Sequence, residues 1–438
     1  MVPQRCRDRV ASMRSSTIVR GLILLNLLLE TARAVAPVDN HTLTGKLVMG
    51  YQGWFQCPVD RKDGHWIHWY NENGLTVDAL PDVTDYPTPG RCESPMHLAN
   101  GQAVELFSSQ KLEVTETHFA WMEQYGLDGV ALQRFAGPLL DPAQVAEMDQ
   151  VLTNVRKASM DHGRVFYLMY DLSGMPLTKL GEVVKDWQQL EASGLTRCPN
   201  YLHHRGHPLL GLWGLGFAGR DMTPPDALAL IDSLKKVSAA YGGVTVMGGV
   251  PAGWRTGTGD GAKDPGWKTV WPKLDVLSPW TVGRYGDDAG ADDYSLHYLK
   301  PDFAETVRLK VDYLPVIFPG FSWANMMTSN HNSSKAKRNE IPRRCGRFYW
   351  RQVFNARSAG VTMLYGAMFD EVDEGTAMFK VAPSTAQAPP GQWFLTLDAD
   401  GCSLPSDWYL RLAGAASKVI HDRGEVSPAM PLKIPNTH

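Results

Sequence analysis

The sequence predicts a single (β/α)8 barrel, and three observations predict it. Eight short apolar runs recur between residues 47 and 369, most of them continuously apolar, as strands covered on both faces of a parallel sheet must be. Stretches with helical spacing separate nearly all of them, the alternation that builds α/β barrels. The residues just past the runs are rich in aromatic and charged side chains, at the end where a barrel keeps its chemistry.

The strands are read at residues 47–51, 129–133, 165–170, 209–213, 244–248, 276–279, 314–318 and 361–369. The first helix, 114–125, carries Val114, His118 and Met122 on one stripe and stops at Gly126; 142–159 and 176–190 follow. Thr223 caps a helix running to residue 241, with Pro224 and Pro225 in its first turn and Gly242 just beyond. Residues 301–311 and 347–356 complete the set. Only the connection between the fifth and sixth strands lacks a clear helix, 266–271 being a single turn there. A doubly wound open sheet is the competing class, but it normally has fewer strands and a phosphate-binding turn after the first. The apolar run 103–107 falls inside the long first connection and is assigned to that loop. Beyond the eighth strand, 382–390 reads as an extended connector, and 406–421 as a last helix that packs Trp408, Leu410 and Leu412 on the barrel. Residues 35–421 thus form one domain, followed by a tail, 422–438.

Residues 1–34 are expected to be a secretory signal peptide. Arg14 and Arg20 precede a short apolar run at 21–29, and Ala32-Arg33-Ala34 supplies the small residues of a cleavage site. The run is well short of the roughly 20 residues that span a bilayer; a retained type II signal anchor is the alternative. Secretion agrees with two sequons, Asn40-His41-Thr42 and Asn332-Ser333-Ser334. It also agrees with five cysteines beyond the leader, Cys57, Cys92, Cys198, Cys345 and Cys402. Cys57 and Cys92 share the first loop and are expected to bridge; the odd count leaves one cysteine outside any intrachain pair.

Lysine and arginine total 43 against 46 aspartate and glutamate, a net charge of -3, so there is no broad basic surface and nucleic acid is not an expected partner. Tryptophan numbers 14, a supply of flat apolar faces suited to the C–H surfaces of sugars as well as to a core.

Residues past successive strands share one face of a barrel, so listing them predicts a pocket. The first strand contributes Tyr51, Gln52 and Trp54, the second Gln133 and Arg134, the third Tyr170 and Asp171, the fourth Trp213 and Phe217. Trp254 and Arg255 follow the fifth, Trp280, Arg284 and Tyr285 the sixth, Phe321 and Trp323 the seventh. From the eighth emerge Asp370, Glu371, Asp373 and Glu374. Aromatic walls over an acidic floor suit a neutral polyhydroxylated ligand. A Glu pair there is the equipment for cleaving glycosidic bonds, and crowding acids in an apolar bowl separates their pKa values so that one is protonated while the other is ionised. Three positions apart, the two Cα atoms lie about 5 Å apart on a helical turn or about 10 Å when extended, leaving both nucleophile-like and water-spaced geometries open.

No cofactor or metal is expected. Gly214-Leu215-Gly216-Phe217-Ala218-Gly219 formally matches a dinucleotide fingerprint, but the next helix begins near Pro224, too late to aim its amino terminus at a pyrophosphate. His203, His204 and His207 lack metal-site spacing, Asp398, Asp400 and Asp407 lack EF-hand spacing, and no GxSxG elbow occurs.

The segment Phe369-Asp370-Glu371-Val372-Asp373-Glu374-Gly375-Thr376 resembles the F-N-E-W-H-E-G-T segment of glycoside hydrolase family 99, the endo-α-mannosidases. The whole chain is similar to secreted proteins described as like families 71 and 99, some labelled xylosidase or arabinosidase. Gly50-Tyr51-Gln52-Gly53-Trp54-Phe55, Tyr125-Gly126-Leu127-Asp128-Gly129-Val130, the segment 278–285 and Phe318-Pro319-Gly320-Phe321-Ser322-Trp323 carry the same resemblance. It implies a retaining hydrolase on a (β/α)8 barrel. By motif position, Glu371 acts as base on the sugar's own 2-hydroxyl, and Glu374 is the acid that protonates the leaving oxygen and then the base for water. Val372 and Asp373 stand where the family has Trp and His, and Phe321 where it has Tyr, which alters the charge beside the pair and removes a hydroxyl. Arg343 and Arg344 lie near the family's substrate-binding Arg.

The expected protein is a secreted, monomeric, retaining glycoside hydrolase, free of the membrane once the signal is removed, acting on an α-linked oligosaccharide or polysaccharide. An exo-acting xylosidase or arabinosidase of the same group, and a carbohydrate-binding protein that keeps the bowl without catalysis, are the competing readings.

Overall fold

The structure is a computed structural model that describes residues 36–335 and 337–435; the expected signal peptide lies outside the described residues. Eight parallel strands form the barrel: β1 Leu47–Tyr51, β2 Gly129–Phe135, β3 Val165–Asp171, β4 His207–Trp213, β5 Thr245–Pro251, β6 Val276–Trp280, β7 and β8 Leu364–Gly366. The seventh strand is split. Its first half, Asp312–Tyr313, pairs with β6, and its second half, Val316–Ile317, pairs with β8. Pro315 separates them because it has no N–H to give a ladder. Leu314 N still donates to Leu277 O at 2.8 Å, and Tyr365 N donates to Pro315 O at 3.0 Å, so the wall stays closed. β8 then pairs with β1, Leu47 opposite Leu364.

The strands are buried throughout, Leu47, Val48 and Met49 fully so, because helices cover them outside and side chains fill them inside. The covering helices are α1 Leu112–Tyr125, α2 Pro142–Asp161, α3 Leu180–Ser193, α4 Pro224–Ser238, α5 Asp288–Tyr294, α6 Lys300–Leu309, α7 Ala324–Ser329, α8 Arg347–Ser358 and α9 Trp408–Asp422. α1 ends where Gly126 adopts φ 74°, a conformation that favours glycine, and donates to Glu123 O and Met122 O. Thr223 and Asp226 form the capping box that starts α4. Between β5 and β6 run only short 3-10 turns, Pro265–Thr269 and Trp271–Lys273. The span before β7 holds more helix than the sequence suggested, because α5 continues through a π turn, Ser295–Leu299, into α6.

The long first connection folds over the carboxyl end of the barrel. The run Ala103–Phe107 lies in that connection, outside the barrel as assigned from sequence, but it is a strand and not loop, paired with Arg91–His97 as an antiparallel hairpin. The Cys57–Cys92 bridge forms as expected, and Cys345–Cys402 ties the start of α8 to the final connector. Cys198 is buried outside both bridges. Trp408, Leu410 and Leu412 of α9 are buried, and a Cβ at Gly414 would fall 2.1 Å from Tyr125 O, so glycine allows α9 to sit directly against α1. Among the described residues no helix is long and apolar enough to cross a membrane.

Candidate active site at the barrel mouth

The chain leaves β8 held on both sides: Ala367 N donates to Ile317 O at 2.9 Å and Phe369 N to Gly50 O at 2.8 Å. Asp370 follows, fully buried, its two carboxylate oxygens accepting from Gln52 N at 2.8 Å and Gly53 N at 2.9 Å. This clasp fixes the exit of β8 to the exit of β1. The chain then turns back, Thr376 N and Ala377 N both donating to Glu371 O. Val372 is wholly buried, and its carbonyl accepts from Asp78 N and Ala79 N of the first loop. Ser322 N donates to Glu374 O, and Arg343 Nη2 donates to Gly375 O and Ala377 O, each at 2.8 Å. The turn that carries Glu371 and Glu374 is thus anchored from four directions, the kind of support that a reactive pair needs.

Glu371 is 4 % exposed and Glu374 is half-buried. The Thr376 hydroxyl lies 3.5 Å from the Glu371 carboxylate. His68 Nδ1 meets Asp373 Oδ2 at 3.2 Å, and the imidazole stacks on Trp54 with centroids 3.7 Å apart and planes inclined by 7°. Phe135 also stacks on Trp54, with centroids 5.1 Å apart. Inside the mouth the Tyr365 hydroxyl fills the space a Cβ on Gly50 would need and accepts from Gln133 Nε2 at 3.4 Å. Its ring meets Trp280, which meets Trp213. Beside Gln52, Trp54, His68 and Gln133 opens a cavity of about 290 Å³.

Six buried atoms in this ring have no hydrogen-bond partner among the described residues: Gln52 Oε1, Trp54 Nε1, Gln133 Oε1, Trp213 Nε1, Trp323 Nε1 and Asp373 Oδ1. Buried polar atoms are normally paired, so these donors and acceptors call for partners of both kinds.

Burial and crowding set the electrostatics. Glu371 is raised well above the usual carboxylate range, first by burial, then by the charges of Glu374 and Asp373, with the Gln52 amide opposing. Glu374 is raised to about 7 by burial and by Asp373. Burial pushes Asp370 up to about 7 against its two backbone hydrogen bonds, and Asp78 up to about 6 against Ser322, Asn325 and Ala324. Neither glutamate is in an ion pair among the described residues. Burial and mutual repulsion thus favour the protonated form of both carboxyls, and their repulsion makes them titrate as a pair.

Several residues expected at the rim are directed elsewhere. Tyr51 is wholly buried, its hydroxyl 2.8 Å from His118 Nδ1 of α1. Arg134 pairs with Asp186 and Asp149 of α3 and α2, and the Tyr170 hydroxyl donates to Asp186. Trp254 Nε1 donates to Asp302 of α6, the Tyr285 hydroxyl to Gln352 of α8, and Arg284 to Asp260. Side chains alternate along a strand, so the neighbour of an inward residue faces the helices: Gln133 faces in and Arg134 out. Arg343 is buried beneath the acidic turn, Arg344 lies between Asp400 and Asp287, and Asp370 braces backbone. Asp171 is held by Ser173 N at 2.7 Å, and Phe321 is buried against Trp323. Gln52, Trp54 and Gln133 line one cavity with His68, which meets Asp373 on the turn between Glu371 and Glu374, while Trp213 and Trp280 continue from Tyr365.

Four residues were not anticipated. Phe135 and Tyr365 follow from the two-residue alternation that places Gln133 inward. His68 and Asp78 come from the long first loop, where no local pattern marks them.

No family model matches the chain, and no curated protein matches its sequence. Among solved structures, the family 99 endo-α-mannosidase of Bacteroides thetaiotaomicron, in complex with BIS-TRIS-propane, superposes with a TM-score of 0.61, covering 88% of this chain and 98% of its own at 14% identity. A second structure of that enzyme gives 0.61 over 88% and 99% at 13% identity. The fold that the motif resemblance implied is therefore the fold observed: this chain is built on the same barrel as a family 99 glycoside hydrolase.

Proposed function

We propose that the protein is a retaining glycoside hydrolase that cleaves an α-linked, mannoside-like glycan within the chain. The observation that carries the reading is the pair of crowded, buried glutamates on a turn anchored at the exit of β8, among mouth residues whose polar atoms are left unpaired. The likeness of fold and of the Glu371 and Glu374 motif supports it. In the first step Glu374 gives its proton to the leaving oxygen as the bond to C1 breaks, while Glu371 takes the proton of the sugar's 2-hydroxyl and O2 closes on C1. In the second, water attacks C1 as the C1–O2 bond breaks, Glu374 takes the water's proton, and Glu371 returns the other to O2. Closure needs O2 trans to the leaving group, as in α-mannosides; α-xylosides are cis. Two adjoining hollows that share Ser173 give room for a glycan of several units, which favours internal over terminal cleavage. Two disulfides fit an oxidising, secretory compartment.

The test is hydrolysis of defined α-mannan oligosaccharides followed by proton NMR. Initial release of the α anomer supports the reading; initial release of the β anomer, or cleavage confined to cis α-glycosides, would overturn it. A second expectation concerns binding. Trp54→Ala removes a ring braced by His68 and Phe135, and should raise KM about tenfold while leaving kcat within a few-fold, the pattern of lost uniform binding.

A further inference from the structure

We propose that the rim carries a second recognition site, centred on Arg220, for an acidic substituent of the glycan: the carboxylate of a uronic acid or a sulfate ester. The proposal rests on the glycan-cleaving reading above and adds a substrate class to it. Arg220 lies between β4 and α4, with its guanidinium carbon 4.8 Å from the ring centroid of Trp213 and 5.2 Å from that of Phe217. Two aromatic rings therefore hold the cation and leave its edge available. Gly214 makes the placement possible: it has φ 114°, and a Cβ there would fall 2.8 Å from Arg220 Nη1. Next to the guanidinium lies a hollow of about 400 Å³ walled by Leu172, Met175, Leu177 and Met222. Ser173 borders both this hollow and the cavity beside Trp54. Trp213 also leads through Trp280 to Tyr365, on which the charge of Glu371 acts. One glycan of several units can therefore span the mouth and reach Arg220.

Among the described residues no group accepts a hydrogen bond from Arg220 and no carboxylate forms an ion pair with it. Asp171 acts on it only through space and is itself held by Ser173 N at 2.7 Å. Asp221 also lines the hollow but is exposed, where solvent and salt screen its charge. A guanidinium offers donors in a fixed fork and accepts nothing, so its natural partner is an acceptor-only group, a carboxylate or a sulfate.

The experiment measures calorimetric binding by the full chain carrying Glu374→Gln, so that turnover is not required. The probes are α-mannotriose and the same trisaccharide with either a C6 carboxylate or a 6-sulfate on a terminal unit. At least one acidic form should bind roughly ten- to a hundredfold tighter than the neutral parent, the usual worth of charged hydrogen bonds. Arg220→Met should remove that advantage without changing affinity for the neutral parent, Arg220→Lys should keep part of it, and added salt should shrink it. Which acid wins identifies the substituent. Equal binding of neutral and acidic probes, or an advantage that survives Arg220→Met, overturns the proposal. Loss of the hydrolase reading would instead show as an absence of cleavage by the unsubstituted protein, which this binding measurement does not use.

Discussion

Glu374→Gln is expected to lower turnover by about 10²–10⁴-fold while leaving glycan affinity within a few-fold, because the amide keeps the size and one acceptor of the side chain and loses only the transferable proton. The loss should depend on the leaving group. A glycosyl fluoride needs no protonation to depart, so its first step should persist in the variant, whereas a natural oligosaccharide should not react. The same proton sets the pH profile. Glu374 is raised to about 7 by burial and by Asp373; it is protonated, and therefore an acid, below that value and loses the role as pH climbs through it. Turnover should accordingly fall on the alkaline side near pH 7, and also on the acid side, where Glu371, itself raised well above the usual range, keeps the proton that its role as base requires it to lose. Asp373→Asn removes the neighbouring charge and should move that alkaline limb to lower pH. Steady-state rates of the three proteins between pH 4 and 9 decide the matter. Full activity of Glu374→Gln on natural substrate would sink the assignment of this residue as the acid.

Much of the barrel is legible because each strand must be apolar on both faces, a demand that leaves uninterrupted runs such as 165–170. Where a residue cannot join a ladder the reading blurs: Pro315 divides β7, and residues 361–369 contribute only Leu364–Gly366 as strand because the rest departs to build the site. The mouth is legible only in part. Position past a strand identifies the correct end of the barrel, but consecutive residues there diverge. Gln133 and Arg134 are neighbours in sequence, yet one meets Tyr365 inside and the other Asp186 among the helices. The first loop hides the most. His68 and Asp78 reach the acidic turn through contacts with residues about 300 and 250 positions away, and no periodicity encodes a contact of that range.

Asp370→Ala should be the most damaging change outside the glutamate pair. The carboxylate was expected to face the ligand; instead it accepts from Gln52 N and Gly53 N in a fully buried setting. Its removal leaves the Gln52 and Gly53 N–H groups without acceptors, each costing about 1–3 kcal/mol, so a loss of about 2–6 kcal/mol in unfolding free energy is expected. Catalysis should suffer as well, because the freed β1 exit carries Gln52, whose amide opposes the rise of Glu371. Asp370→Asn separates the two contributions. It retains an acceptor for one N–H and abolishes titration. In the native protein the Asp370 proton leaves near pH 7, against 3.8 for an ordinary aspartate. Between those values the folded state holds the proton and the unfolded state does not, so stability falls as pH rises through that window. Asp370→Asn should flatten this slope while remaining more stable than Asp370→Ala. Urea unfolding of the three proteins at pH 4, 5.5 and 8 measures both effects. An Asp370→Ala protein as stable as the native one would mean that the clasp between β8 and β1 does not hold the catalytic turn in place.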